Sequence, residues 1–447
     1  MVLLGESMNT NQKDNGTAET EFSGHYPVII IGGGQAGLSM SYCLKERGVE
    51  HLIFEKNRLG ESWRSKRWDS FCLVTPNWQC QLPGFPYSGG DPDGFMKKDE
   101  IVAYIEAYAQ SFQPPIHQGV SVTRLSQDEV GRFIVATSIG DHLADQVVVA
   151  TGGYQVPSVP RIAERLPSTI TQLLSCDYKS PELIADGEVL VVGSGQSGCQ
   201  IAEDLHIAGR RVHLCVGGAP RTARRYRGKD VVAWLHEMGY YDKPIHEHPL
   251  KERVRAKANH YVTGRDGGRD IDLRKLATEG TQLYGRLKDI AGSRLTFGDD
   301  LKQNLDQADT VAESIKTTID KFIESRRIEA PPEERYRPVW EPSNPVREVD
   351  CIAANIKTII WSVGYSTDYR WIEVPIFDGK GYPSHQRGVT TVPGLYFLGL
   401  PWQYTWGSGR FSGVARDAIF IADYMEARRG VPIPEPGRVL NELALGS

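Results

Sequence analysis

Gly32-Gly33-Gly34-Gln35-Ala36-Gly37 has the spacing Gly-x-Gly-x-x-Gly, and Gly193-Ser194-Gly195-Gln196-Ser197-Gly198 repeats it. The chemistry such a spacing can do is to hold a diphosphate. The first glycine permits a tight turn, the second lets the anion approach the backbone, and the third lets the following helix pack on the strand. Glu55 closes the run His51-Leu52-Ile53-Phe54 at the distance from the first cluster where a carboxylate accepts hydrogen bonds from adenosine ribose hydroxyls, and Lys56 adjoins it as a further candidate contact. The second cluster differs at this point. Val212-His213-Leu214-Cys215-Val216 runs into Gly217-Gly218 and then Arg221, Arg224, Arg225 and Arg227, of which Arg227 is the weakest candidate. An acid would repel a ribose 2′-phosphate, whereas guanidinium groups bind it in charge-assisted pairs. One chain with these two ends is expected to bind two different dinucleotides, FAD at the first cradle and NADPH at the second.

The elements that must position these residues are legible around them. Val28-Ile29-Ile30-Ile31 reads as a buried parallel strand, followed by a helix carrying Leu38, Tyr42 and Leu44; Val189-Leu190-Val191-Val192 leads likewise into a helix through Ile201, Ala202 and Leu205. Apolar residues from Leu301 to Ile323 recur at spacings of three and four, which predicts an amphipathic helix that packs on the core, and Pro331-Pro332 marks the loop beyond it. With 447 residues the chain is long enough for two or three domains. Residues 1–25 read as a disordered, polar tail without the features of a signal peptide.

Composition narrows the function classes. A hydrophobic content of 40%, a charged content of 24% and a net charge of -5 describe an ordinary globular protein with no basic field for nucleic acid. No apolar run approaches the length of a membrane helix. The seven cysteines are scattered and never spaced Cys-x-x-Cys, which suits reduced thiols in a cytoplasmic enzyme and argues against disulfide reduction. The stretch holding Trp234, His236, Tyr240, Tyr241, His246, His248, His260 and Tyr261 lacks a metal-ligand spacing, so no metal is expected there and a lid or domain-interface role is.

Further motifs carry a family resemblance. Val147-Val148-Val149-Ala150-Thr151-Gly152-Gly153-Tyr154, Ile359-Ile360-Trp361-Ser362-Val363-Gly364-Tyr365 and Val392-Pro393-Gly394-Leu395-Tyr396-Phe397-Leu398-Gly399, together with the two cradles, resemble the flavin-containing monooxygenases. Gly60-Glu61-Ser62-Trp63-Arg64, Arg67-Trp68-Asp69-Ser70-Phe71 and Thr75-Pro76-Asn77-Trp78 are similar to a bacterial branch of flavin-dependent oxidoreductases, some of whose genes lie beside nitrilase genes. The resemblance implies an α/β fold with two Rossmann-like domains. The NADPH domain, 178–360, carries a helical insertion and interrupts an FAD domain formed by 26–177 and by 361–447, which ends in a helix. It further implies that Trp63, Thr151, Gly152, Gly364, Gly399 and Pro401 contact cofactor, and that Asn77, Trp78 and Arg67 face the substrate. The implied reaction transfers one oxygen atom from O2 to a small organic substrate, nitrogen compounds included, through a flavin C4a-(hydro)peroxide. NADPH oxidation without oxygen transfer, and a flavin-binding redox sensor or scaffold, stay open as alternatives, as does homo-oligomerisation.

Two positions depart from the family pattern. Leu400 stands where related flavoproteins carry an acid beside the flavin chain. In the linker before the second cradle, Ser168, Ile170 and Leu174 replace the family's phenylalanine, glycine and histidine, while Ser175 and Tyr178 are kept. Fewer fixed contacts there predict a looser site that leaks peroxide.

Overall fold

The computed structural model describes residues 22–428, so most of the expected tail lies outside the described residues; Gly24 already begins a strand, and Ser23 donates its backbone N–H to the Asp141 carbonyl at 2.8 Å. That strand, β1 (Gly24–Ile31), feeds α1 (Gln35–Glu46), and β2 (His51–Glu55) returns beside it in parallel. β3 (Ile116–Gln118) and β4 (Gly140–Val149) complete the first run of the chain through this sheet. A second sheet follows in sequence, built from β5 (Thr171–Leu174), β6 (Glu188–Val192), α2 (Gln196–Ile207), β7 (Val212–Cys215), β8 (Gln282–Tyr284), α3 (Leu301–Arg326) and β9 (Ile356–Trp361). The chain then returns to the first sheet as β10 (Leu395–Phe397) and closes on it with α4 (Val414–Ala427).

The two sheets share one plan. In the first, the parallel order is β10-β4-β1-β2-β3; in the second it is β5-β9-β6-β7-β8. Val28, Ile29 and Ile30 of β1, like Val189, Leu190 and Val191 of β6, are wholly buried, because each central strand is covered on both faces. The fold is thus α/β with two Rossmann-like units, the second inserted between β4 and β10 of the first. Thr171–Leu174 hydrogen-bonds along β9, so it is an edge strand of the second sheet, although it lies in the segment expected to belong to the first domain.

The chain leaves the first unit after β4 and comes back after β9, and these two connections pair with each other. Tyr365 lies opposite Pro157 and Ser366 opposite Val156, and the Ser158 N–H donates to the Gly364 carbonyl at 2.9 Å. α3 buries Leu301, Leu305, Ala308 and Ile319 of the expected stripe, with Val311, Ile315 and Phe322 partly buried and Ala312 and Ile323 buried beside them, and it ends where Arg327 turns left-handed (φ 53°). Among the described residues no helix is long and apolar enough to cross a membrane.

Candidate dinucleotide-binding sites

The first cradle shows why its glycines are required. Gly32 has φ +108°, and a Cβ there would stand 2.7 Å from the Ala150 carbonyl oxygen; a Cβ on Gly37 would stand 1.8 Å from that of Gly32. These two serve the turn and the helix–strand contact. Gly34 is different, because nothing lies within 4 Å of where its Cβ would be. It is the N-cap of α1 and contributes no side-chain cap, so the helix's first N–H groups face that space. The residues therefore fit a diphosphate at Gly34. The Glu55 carboxylate accepts from Gly33 N at 2.6 Å and from Asn57 N at 2.9 Å, which fixes it at the rim of the cradle, with Lys56 exposed beside it.

Segments distant in sequence complete this site. The Gln35 amide donates to the Gly409 carbonyl at 3.1 Å. A Cβ on Gly399 would meet Ala36 Cβ at 2.7 Å, and one on Gly153 would meet Pro401 Cδ at 2.5 Å, so the ends of β4 and β10 close tightly around the start of α1. Gln155 holds Thr151 Oγ1 at 3.0 Å and the Gly152 carbonyl at 2.9 Å. Leu400, in the acid's place, is buried in the core.

The second cradle repeats the arrangement. Gly193 (φ +106°) would collide with the Ser362 carbonyl at 2.4 Å and Gly198 with the Gly193 carbonyl at 1.8 Å, whereas Gly195 again has nothing within 4 Å. Gln196 clamps Val262 from both sides, donating to its carbonyl at 2.6 Å and accepting from its N–H at 3.2 Å. Ser197 sits partly buried in the first turn of α2, and Gly364 (φ +100°) turns the returning connection.

The arginine cluster is not what its spacing suggested. Arg221 is buried, pairs with Asp309 at 2.6 Å and lies over the Tyr336 ring. Arg224 is also buried; it pairs with Asp230 at 2.6 Å and donates to the Val74 carbonyl at 2.7 Å, tying the second unit to the first. Both guanidinium groups are buried and held by internal partners rather than exposed to a ligand, although Arg221 Nη2 and Arg224 Nε have no hydrogen-bond partner. Arg225 remains exposed, donating to the Gly267 carbonyl at 3.2 Å, and Arg227 is tied to Asp320 and to carbonyls near Pro331.

The candidate substrate-side residues also separate. Asn77 is buried; its amide donates to the Asp91 carbonyl at 2.9 Å and accepts from Met96 N at 2.7 Å, so both ends of the amide brace a loop. Trp78 lies against His236 with ring centroids 4.9 Å apart, at the junction of the two units. Arg67 lies between the Trp63 and Phe71 rings, and Trp63 stacks on Phe411 at 5.7 Å. Burial holds the Arg67 pKa below the usual arginine value, and among the described residues no carboxylate pairs with it.

The aromatic, histidine-bearing stretch is an interface. Ile245 N donates to the Tyr404 carbonyl at 2.7 Å, Tyr241 packs on Trp406 at 4.6 Å and His248 on Trp402 at 5.2 Å. Among the described residues no group of three His, Cys, Asp or Glu side chains could hold a metal ion. Sequence reasoning missed Arg410, which lies 4.0 Å over the Trp406 ring and donates to Asn259 at 3.0 Å, and Arg286, beside the Gly217–Gly218 turn. Arg286 had no local signal, since strand pairing brings it in from far along the chain, whereas Arg410 stands four residues from the ring it covers and is joined to Asn259 only in space.

Residues 29–266 match the family of pyridine nucleotide-disulphide oxidoreductases. The chain is 35% identical over 399 residues to an uncharacterized CzcO-like oxidoreductase of Geobacillus kaustophilus, spanning 88% of this chain and 96% of that one. Over 192 residues it is 34% identical to an indole-3-pyruvate monooxygenase of Oryza sativa, spanning 42% and 47% of the two chains. A flavin-containing monooxygenase from Stenotrophomonas maltophilia shares the fold, with a TM-score of 0.62 at 19% identity over 91% of this chain and 99% of that one.

Proposed function

This chain belongs to the pyridine nucleotide-disulphide oxidoreductase family, and on that footing we propose that it is an FAD-containing, NADPH-dependent oxidoreductase acting as a single-component monooxygenase on a small organic substrate. The observation that carries the reading is the contrast between two otherwise matching cradles. One ends in the Glu55 carboxylate, the other in the side-chain-free Gly217–Gly218 turn. An acid selects free ribose hydroxyls, and its absence from the second strand, where the buried Val216 stands in register with Glu55 and the glycine turn follows, admits a 2′-phosphate. Disulfide reduction is disfavoured, because all seven cysteines are buried and unpaired.

The residues that would hold FAD are Gly32, Gly34, Ala36 and Gly37 at the diphosphate, Glu55 at the ribose, and Gly399, Pro401 and Gly409 around the start of α1. Gly193, Gly195, Ser197 and Gly198 would hold the nicotinamide dinucleotide. Bound flavin supplies hydride acceptance and the chemistry of dioxygen. The protein's part is to position and to exclude water. Gln35 and Gln196 lock a covering segment over each cradle, and the 240–262 stretch packs on Trp402, Tyr404 and Trp406, where it would keep water from ligands of the two cradles. Arg67 offers a cation without a carboxylate partner at that junction, suited to an anionic group on cofactor or substrate. A cytoplasmic site of action fits the unpaired thiols.

The test is stoichiometric. With a panel of small amines, thioethers and ketones, a monooxygenase consumes one O2 per NADPH and forms oxygenated product in place of peroxide. A second reading, oxidation of NADPH without oxygen transfer, is favoured by the changed linker, and peroxide equal to NADPH with every compound would establish it instead.

A further inference from the structure

Arg286 occupies the position at the second cradle that the buried arginines do not. It follows β8, the strand hydrogen-bonded to β7, and so stands beside the end of β7 although it is far from Gly217 in sequence. Its backbone is pinned on both sides: its N–H donates to Asp300 Oδ1 at 2.9 Å and its carbonyl accepts from Gly298 N at 2.8 Å. From that fixed point the guanidinium lies along the glycine turn. A Cβ on Gly218 would stand 2.7 Å from Arg286 Nη2, and one on Gly217 would stand 3.8 Å from Nε and 4.0 Å from Ser194 Oγ. Ser194 Oγ is itself fixed by accepting from Gly217 N at 2.9 Å. The only carboxylate pairing with Arg286 among the described residues is Asp300, at 3.4 Å, and the side chain is 52% exposed.

We infer that Arg286, with Ser194 and the Gly217–Gly218 turn, forms the subsite that recognises the ribose 2′-phosphate of the nicotinamide cofactor. The inference rests on the reading of the second cradle as a nicotinamide dinucleotide site. The ribose is recognised at the end of the strand after the cradle; in register with Glu55 the second strand carries Val216, turned into the core, and Gly217–Gly218 follow, so no carboxylate stands there to repel a phosphate. Arg286 supplies a planar, permanently charged fork with little of its capacity spent on Asp300. Arg221 and Arg224 are buried and held by Asp309 and Asp230, so turning outward would break those ion pairs.

Equilibrium binding to the FAD-loaded enzyme, followed by calorimetry, tests this with four probes: NADPH, NADH, adenosine 2′,5′-bisphosphate and adenosine 5′-monophosphate. The wild type binds NADPH and the bisphosphate more tightly than their partners lacking the 2′-phosphate. Arg286→Gln weakens NADPH and the bisphosphate about ten- to a hundredfold and leaves NADH and the monophosphate unchanged. Gly217→Asp, where a Cβ has room, shifts preference toward NADH. Equal loss of NADPH and NADH in Arg286→Gln, or loss of discrimination in Arg225→Gln with Arg286→Gln unaffected, overturns the subsite while leaving the cradle as a dinucleotide site. A wild type that binds none of the four overturns both.

Discussion

Glu55 spends part of one carboxylate on the loop and keeps the rest for a ligand. It accepts two backbone N–H groups, from Gly33 and Asn57, yet a carboxylate has about four acceptor sites, enough left over for ribose hydroxyls. Glu55→Ala removes charge-assisted hydrogen bonds of about 1.5 to 3 kcal/mol each, so FAD should bind at least tenfold more weakly while NADPH affinity is kept at saturating FAD. The ratio of bound flavin to protein after purification checks this. A second residue-scale expectation concerns His385, whose pKa is lowered to about 3 by burial and, secondarily, by Arg255. Its Nδ1 accepts from Gly388 N at 3.2 Å and its Nε2 faces the Tyr382 hydroxyl, so a second proton would break the first bond. The folded pKa lies below the ordinary value of 6.5, so the folded state binds fewer protons than the unfolded one between the two values. Stability is therefore lost as pH falls through that window. Melting temperature should fall more steeply from pH 7 to pH 5 in the wild type than in His385→Gln; parallel slopes would refute it.

At the scale of elements, the cradles separate glycines that serve the fold from glycines that serve a ligand. Gly37→Ala forces a Cβ onto the Gly32 carbonyl and should cost about 1 to 3 kcal/mol of stability. Gly34→Ala meets nothing in the protein, so the apoprotein should melt as the wild type does while flavin retention falls. Thermal melts of both variants with and without FAD decide the matter. Strand, glycine turn, helix and Glu55 were legible in the sequence because each is local, encoded within a short window by apolar runs and fixed offsets. The ribose end of the second site was not legible, because guanidinium groups close in sequence are separated in space: Arg221 and Arg224 turn inward to Asp309 and Asp230, while Arg286 arrives through the β7–β8 pairing. The part Asn77 plays in bracing its loop was hidden for a related reason, since its partners Asp91 and Met96 lie 14 and 19 residues away. The linker residues Ile170 and Leu174 pack in an apolar cluster with Ile359 and Trp361. They give that segment hydrophobic contacts where fewer fixed contacts were expected.

Across the whole molecule, the two units are joined by more than the paired connections. Asp204, buried in α2, accepts from Ser70 at 2.6 Å, from the Tyr178 hydroxyl at 2.6 Å and from Arg265 at 2.5 Å, and so gathers the first unit, the linker and the second unit at one carboxylate. Asp204→Ala leaves those donors unsatisfied and should destabilise the protein by about 3 to 5 kcal/mol, read as a lowered denaturation midpoint. That joint sets the two cradles into one molecule, which is the condition for electrons to pass between their ligands. Anaerobic titration of the purified, FAD-loaded chain with NADPH, followed by flavin absorbance, bears on this most directly. One equivalent of NADPH per chain should bleach the flavin completely, with NADH far less effective at the same concentration. A chain that retains no flavin when FAD is supplied, or a bound flavin that NADPH does not reduce, would contradict the assignment of two dinucleotides to the two cradles.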